Sequence, residues 1–165
     1  MIIESETMAR PLREELQEHG ALLNLFEEQQ DAILRRQPDV VLILAEAIAK
    51  QAELIRVCQK RRKEVVRAAA AEAGCPEETS LFGLLPYFPQ AARPMLEALV
   101  DEVNRLVRQT RRRARQNQML LVRTIEVSQQ VLQRLNPGTV TKTYAANGQI
   151  EMGAAAAQGR WRAKS

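Results

Sequence analysis

Residues 38–76 read PDVVLILAEAIAKQAELIRVCQKRRKEVVRAAAAEAGCP, and this stretch decides the class of fold. Its inward positions recur at spacings of four and three residues, the pattern of a helix in a coiled-coil seam. They are Leu44, Ile48, Gln51, Ile55, Cys58, Arg62 and Val65. Asp39 follows Pro38 where a carboxylate meets the positive end of a helix dipole, and Gly74 with Pro76 is typical of a helix end. The stretch therefore predicts one long helix from Pro38 to just before Gly74.

The segments on both sides carry the same spacing. It predicts a first helix over residues 4–36, which Pro38 stops, and a third from about Pro94 to Leu135, which Asn136-Pro137-Gly138 ends. The seam positions are Leu12, Leu16, His19, Leu23, Phe26, Gln30 and Ile33 in the first helix and Leu96, Leu99, Val103, Leu106 and Thr110 in the third. Because the turn at Pro38 is short, the first two helices must be antiparallel neighbours.

Residues 75–94 form a connector with four prolines and one apolar patch, Leu81 to Leu85. Ser80 is placed to cap a single helical turn there. We expect this connector to pack over the end of the helical hairpin, with a docking patch for a partner as the alternative.

From Pro137 onward the sequence has no sustained period and is rich in small residues, which predicts a flexible tail that holds a few apolar anchors. The whole chain is therefore expected to be all-α. We predict an elongated antiparallel bundle of three long helices, without a sheet, that has a short helical connector and a flexible C-terminal tail. The bundle domain would cover residues 1–136 and the tail residues 137–165.

Composition excludes several classes of protein. The 165 residues suit one domain, and a chain of this size does not need its two cysteines, Cys58 and Cys75, as a disulfide. With one histidine and no paired-cysteine motif, no metal site is expected, and no phosphate-binding or nucleophile motif indicates an enzyme or a cofactor. The N-terminus is acidic and the longest apolar run, Val40 to Ala45, is far too short to span a membrane. We expect a cytoplasmic protein without stable membrane insertion.

The net charge of +4 is unevenly distributed. Residues 1–31 hold eight acids and two bases, residues 56–67 hold six bases and one acid, and residues 105–115 hold six arginines and no acid. The basic clusters indicate either a nucleic-acid or other anionic surface, or basic helices that lie beside an acidic one. Because the chain folds back at Pro38, Glu14, Glu15 and Glu18 should lie near Cys58 to Arg62, which favours the second interpretation for the first cluster.

The second half of the third helix carries an unusually wide apolar surface. Seven residues occupy about 160° of the helix, wider than the roughly 100° that one neighbouring helix requires. This apolar arc consists of Leu120, Leu121, Ile125, Val127, Val131, Leu132 and Leu135. Small or polar residues in its middle, Asn117, Thr124 and Ser128, allow close helix approach. Either two helices of this chain cover the arc, or part of it holds another protein.

Three short motifs resemble a known family. They are Lys50-x-x-x-Leu54-Ile55-x-x-Cys58-x-x-Arg61 in the second helix, Asn117-x-x-Leu120-Leu121 in the third, and Tyr144-x-x-x-Gly148 in the tail. Together with the order of helices and connector, they are similar to FlgN over about residues 8–150. Members of that family are cytoplasmic chaperones of bacterial flagellar type III export.

The resemblance implies partners and sites. FlgN-like chaperones bind the hook-associated proteins FlgK and FlgL. They hold the amphipathic C-terminal segments of these clients and deliver them to the export gate protein FlhA. Because the wide apolar arc suits a client helix, we expect client binding at Asn117, Leu121, Ile125 and Leu132. The resemblance implies binding to the gate at Tyr144 and Gly148. No cofactor, metal or nucleic acid is implied.

Two rival classes stay open from the sequence. A basic helical nucleic-acid-binding protein would use Arg105 to Arg115 against phosphates, although the chain has few aromatics for stacking on bases. The seams would also be expected of a purely structural coiled-coil protein, but the tail with its apolar anchors would then have no role.

Overall fold

The computed structural model describes residues 3–137, 141–144 and 150–153. The elements in chain order are α1 Ser5–Leu34, α2 Pro38–Glu72, α3 Leu81–Leu84, a 3-10 turn Leu85–Tyr87, α4 Arg93–Leu135, β1 Thr141–Tyr144 and β2 Ile150–Gly153. The predicted all-α class is confirmed. The chain forms two compact units, Met1–Gln118 and Met119–Ser165, and each is described by itself.

The first helix is shorter than predicted, so the turn between α1 and α2 is longer and covers residues 35–37. Arg36 adopts a left-handed backbone conformation with φ 55°, so the helix ends at Leu34 rather than at residue 36. The N–H of Gln37 then donates to the carbonyl of Ala32 at 3.0 Å, a bond that satisfies one of the free carbonyls at the end of α1. Pro38 follows directly as the first residue of α2.

The end of α2 follows the predicted cap. Gly74 has φ 67°, which costs glycine nothing, and the N–H of Cys75 donates to the carbonyl of Ala70 at 2.9 Å. The helix stops at Glu72, so the predicted end before Gly74 is confirmed.

Side-chain contacts show that α1 and α2 pack in antiparallel order. Gln51 Nε2 donates to the backbone carbonyl of Glu18 at 3.0 Å, and Arg61 Nη1 lies 2.6 Å from Glu14 Oε2. Every predicted seam position of both helices is buried or half-buried, with Leu12, Leu44 and Ile55 buried. The antiparallel pairing of the first two helices is therefore confirmed.

The connector closes one end of the α1–α2 pair. Ser80 Oγ accepts a hydrogen bond from the N–H of Gly83 and caps α3, while Leu84 and Phe88 are almost fully buried. One apolar core joins this connector to the long helices. Its members are Ile3, Met8, Ala9, Leu12, Ala69, Ala70, Leu81, Leu84, Leu85, Phe88, Leu96 and Val100. The predicted packing of the connector over the hairpin is confirmed.

Within the first unit, α4 follows α1 in the same direction. Arg13 Nη2 lies 3.7 Å from the sulfur of Met95, and Arg113 Nη1 donates to Gln30 Oε1 at 2.6 Å. The seam predicted for this part of α4 is buried or half-buried throughout. An antiparallel bundle of all three long helices stays a prediction.

The second unit contains the end of α4 and a short antiparallel hairpin, so the prediction of a fold without a sheet is wrong for this part of the chain. Thr141 pairs with Gly153, and the register continues to Tyr144 opposite Ile150. The sequence Thr-Lys-Thr-Tyr alternates residues that favour strands, but its four positions are too few to stand out from a loop. The domain boundary after residue 136 stays a prediction.

Candidate functional site

The apolar arc on α4 is largely uncovered. Five of its seven residues are exposed, from 39% for Ile125 to 76% for Leu135, and Leu120 and Leu121 are half-buried. Leu132, a predicted client-binding residue, is 53% exposed. Contiguous exposed apolar residues of this kind mark surfaces that bind other molecules.

The two hydroxyl groups within the arc are already hydrogen-bonded to the backbone of α4. Thr124 Oγ1 donates to the carbonyl of Leu120 at 2.8 Å, and Ser128 Oγ donates to the carbonyl of Thr124 at 2.9 Å. Because each hydroxyl is bonded to its own helix one turn back, it needs no partner from outside. An apolar ligand can therefore lie across these residues without leaving a donor unpaired.

Asn117 differs from the other predicted client-binding residues in being fully buried. Its side chain is 2% exposed, and Nδ2 donates to the backbone carbonyl of Phe26 at 2.8 Å and to Gln29 Oε1 at 3.2 Å. These bonds attach α4 to α1 inside the first unit. Leu121, Ile125 and Leu132 belong to the second unit.

The structure does not bring the two predicted gate-binding residues together. Tyr144 ends β1, where its backbone is paired with Ile150. Gly148 lies outside the described residues. The role of both residues stays a prediction.

The four arginines of the first basic cluster pair with carboxylates of this chain, whereas Lys60 and Lys63 form no ion pair with a described residue. Arg61 pairs with Glu14, Arg62 Nε lies 2.8 Å from Glu15 Oε2, and Arg67 Nε lies 2.5 Å from Glu77 Oε1. The prediction that Glu14, Glu15 and Glu18 lie near Cys58 to Arg62 is confirmed. Burial, followed by the nearby carboxylates of Glu18 and Glu14, raises the pKa of the Cys58 thiol.

The second basic cluster is only partly neutralised. Arg105 Nε donates to Glu102 Oε2 at 2.7 Å, which lowers the pKa of that carboxyl group, and Arg113 lies 3.4 Å from Glu27. The remaining four arginines are exposed and form no ion pair with a described residue. They are Arg108, Arg111, Arg112 and Arg115.

A second apolar row, which the sequence analysis missed, runs along the outside of α2. We call it the outer row; its members, apolar except for Lys50, are Val40, Ile43, Ala47, Lys50, Leu54 and Val57. Its signal in the sequence is a spacing of three and four residues, parallel to the seam. The stronger seam next to it hid this signal.

The part of the chain that the structure describes has no cluster suited to a metal ion: no group of three or more histidine, cysteine, aspartate or glutamate side chains is placed to hold one, and both cysteines are free thiols. Among the same residues, no helix has the length and apolar content needed to cross a membrane.

Comparison with known proteins identifies the family of this chain. Neither a curated protein nor a solved structure matches the chain. The family model described as FlgN protein matches residues 1–151, which takes in all four α-helices and the paired positions of β1. The chain belongs to the FlgN family, a family of flagellar export chaperones.

Proposed function

We propose that this chain is a cytoplasmic chaperone that binds the hook-associated proteins FlgK and FlgL and delivers them to the type III export gate. The exposed apolar arc of α4 is the observation that supports this proposal. An amphipathic segment of a client can lay its apolar face on such a surface, as helices do in grooves. Binding of this kind needs no catalysis, cofactor or metal, in keeping with a family of chaperones rather than enzymes.

The predicted client-binding residues take different roles in this proposal. Ile125 and Leu132 contact the client directly because both are exposed, and Leu121 forms the half-buried edge of the surface. Asn117 acts indirectly: its two hydrogen bonds hold α4 on α1. An elongated antiparallel arrangement of the three long helices would provide the scaffold.

Replacement of three arc residues by serine tests the client surface. We expect Leu121→Ser/Ile125→Ser/Leu132→Ser to weaken binding of FlgK or FlgL roughly 10- to 100-fold, since central apolar contacts carry most of the affinity of an interface. Isothermal titration calorimetry measures this affinity. Circular dichroism verifies that the variant keeps its helical content.

The matched control changes exposed apolar residues of the same helix outside the arc. Met119→Ser/Val122→Ser removes comparable surface from α4 and should leave client affinity within about twofold. If the folded triple variant binds as tightly as the control, the arc is not the client surface.

For delivery, we propose that Tyr144 and Gly148 form a segment that FlhA recognises. An aromatic ring offers large contact area and one hydroxyl group at small entropic cost. Tyr144→Ala should lower FlhA affinity by about 1–3 kcal/mol and leave client binding unchanged. Thr143→Ala, its neighbour in β1, serves as control; equal FlhA affinity of both variants would contradict the role of Tyr144.

A further inference from the structure

The side of α4 that faces away from its buried seam carries a row of arginines. They recur at spacings of three, one and three residues, which places them within about 100° of helix rotation. Thr110 and Asn117, both buried, lie about 180° away on the same helix. We call this row the arginine stripe; its members, all exposed, are Arg108, Arg111, Arg112 and Arg115.

The arginines beside the stripe are neutralised within the chain, whereas those of the stripe are not. Arg105 Nε donates to Glu102 Oε2 at 2.7 Å. Arg113 Nη1 donates to Gln30 Oε1 at 2.6 Å, and its Nη2 lies 3.4 Å from Glu27 Oε1. No member of the stripe forms an ion pair with a described residue. The carboxylates of the chain therefore leave this face of α4 strongly positive.

The stripe is unfavourable for the chain on its own. Residues three or four apart are neighbours on a helix surface, and the stripe contains four such pairs, all of like charge. Each of these pairs repels and destabilises α4. A sequence that keeps a locally unfavourable pattern with no compensating contact is expected to use that pattern in a function.

We propose that the arginine stripe binds an acidic helix of another protein, whose carboxylates lie on one face over about two turns. A guanidinium group can donate two parallel hydrogen bonds to one carboxylate, which gives such a contact both strength and geometry. The stripe is about 10 Å long, the length of two helical turns. The proposal is independent of the client and gate sites, because no stripe residue belongs to either.

A uniform polyanion fits this face less well than a short acidic helix. Glu97 and Asp101 lie in line with the stripe towards the start of α4, and both are exposed without an ion pair to a described residue. Asp101 is only about 10 Å from Arg108 along the helix. A membrane or a long nucleic acid that followed α4 would meet both carboxylates and be repelled, whereas a two-turn acidic segment can end before them.

A second copy of this chain also fits less well. Antiparallel packing of two such faces would place Glu97 opposite the partner's Arg115 and Asp101 opposite the partner's Arg112. Two carboxylates cannot neutralise four arginines, however. In the same register Arg108 and the partner's Arg108 would lie only about 6 Å apart along the helices, in the centre of the contact, where like charges repel.

Fluorescence anisotropy with designed helical peptides tests the spacing. One labelled peptide of about 20 residues, rich in alanine and glutamine, carries four glutamates at the spacings of the stripe. The control peptide has the same composition but places a glutamate every five residues, which distributes the charges around the helix. The first peptide should bind at least about fivefold more tightly at about 50 mM salt, and its affinity should fall at about 300 mM.

Replacement of the whole stripe by glutamine tests both binding and stability, since glutamine keeps the helix propensity of arginine. The variant should bind the first peptide at least about tenfold more weakly and should melt about 2–6 °C higher, because four repulsive pairs are lost. A control variant removes the same charge from four exposed bases that form no ion pair with a described residue. It is Arg10→Gln/Arg35→Gln/Lys50→Gln/Lys60→Gln, and it should bind within about twofold of the unmodified chain without melting higher.

Four results would overturn the proposal. Equal affinity for the two peptides, or an equal loss in both variants, would mean that only net charge matters. A stripe variant that melts lower would mean that the arginines stabilise the chain and need no partner. Tighter binding to phosphatidylserine vesicles or to duplex RNA than to the first peptide, in the same buffer, would identify a different class of ligand. A dimer in sedimentation equilibrium that the stripe variant abolishes would identify a second copy as the partner.

Discussion

Two neighbouring arginines on α2 should differ sharply in what their removal costs. Arg62 pairs with Glu15, whose carboxylate is 1% exposed, while Arg61 pairs with Glu14 in an exposed contact. Arg62→Met leaves the carboxylate of Glu15 in the core without its main counter-charge and keeps most of the side-chain volume. Arg61→Met removes only a surface ion pair and is the matched control.

The structure allows an order of magnitude for each variant. Breaking a buried ion pair by removing one partner costs about 3–5 kcal/mol. Arg62 keeps 29% exposure, so water reaches the site and partly compensates for its loss. We therefore expect about 3 kcal/mol for Arg62→Met and at most about 1 kcal/mol for Arg61→Met.

Urea denaturation followed by circular dichroism measures both values. With a slope of about 2 kcal/mol per molar, the midpoint should fall by about 1.5 M for Arg62→Met and by less than about 0.5 M for Arg61→Met. Glu15→Leu/Arg62→Met should recover most of the loss, since it removes the buried charge together with its partner. Equal midpoints for the two single variants would refute the claim that the environment of Glu15 determines the cost.

Three further predictions follow from individual side chains. Gly74→Ala should destabilise the chain by about 1 kcal/mol, because φ is 67° at this position. Gly20→Ala, inside α1 with open space around it, should stabilise the chain by up to about 1 kcal/mol. Thermal denaturation measures both changes, and the same sign for both variants would contradict this reasoning. Burial and the charges of Glu18 and Glu14 raise the pKa of Cys58, so iodoacetamide should alkylate this thiol slowly at pH 8 and faster in Glu18→Gln; an alkylation rate unchanged by Glu18→Gln would exclude the electrostatic cause. Because the folded thiol keeps its proton to a higher pH than the unfolded one, the free energy of unfolding should also fall as pH rises past the ordinary thiol pKa. Asn117→Ala should cost about 1–2 kcal/mol in urea denaturation, since it leaves Gln29 without its donor in a buried site; an unchanged midpoint would mean that these hydrogen bonds do not hold α4 on α1.

The local signals in the sequence were sufficient for the helices and their ends. A spacing of four and three residues reflects the turn of the α-helix itself, so the seams of α1, α2 and the first part of α4 could be predicted without a structure. Three residues that act on the backbone of their own segments take the predicted roles: Pro38 begins α2, Gly74 follows its end, and Ser80 caps α3. The apolar arc was also visible, because its width is a property of one helix.

The sequence predicted the seam of α2, but it could not show that the adjacent outer row stays uncovered. Ile43 and Leu44 begin two adjacent rows of equal spacing; the second is buried and the first exposed. Nor could it predict that Asn117 is buried with partners on α1 while Leu132 stays exposed on the same helix. Helical periodicity and caps arise from the backbone within a few residues, and the sequence determined them by itself. Whether a face is covered depends on residues far away in the chain, and only the tertiary structure decided that.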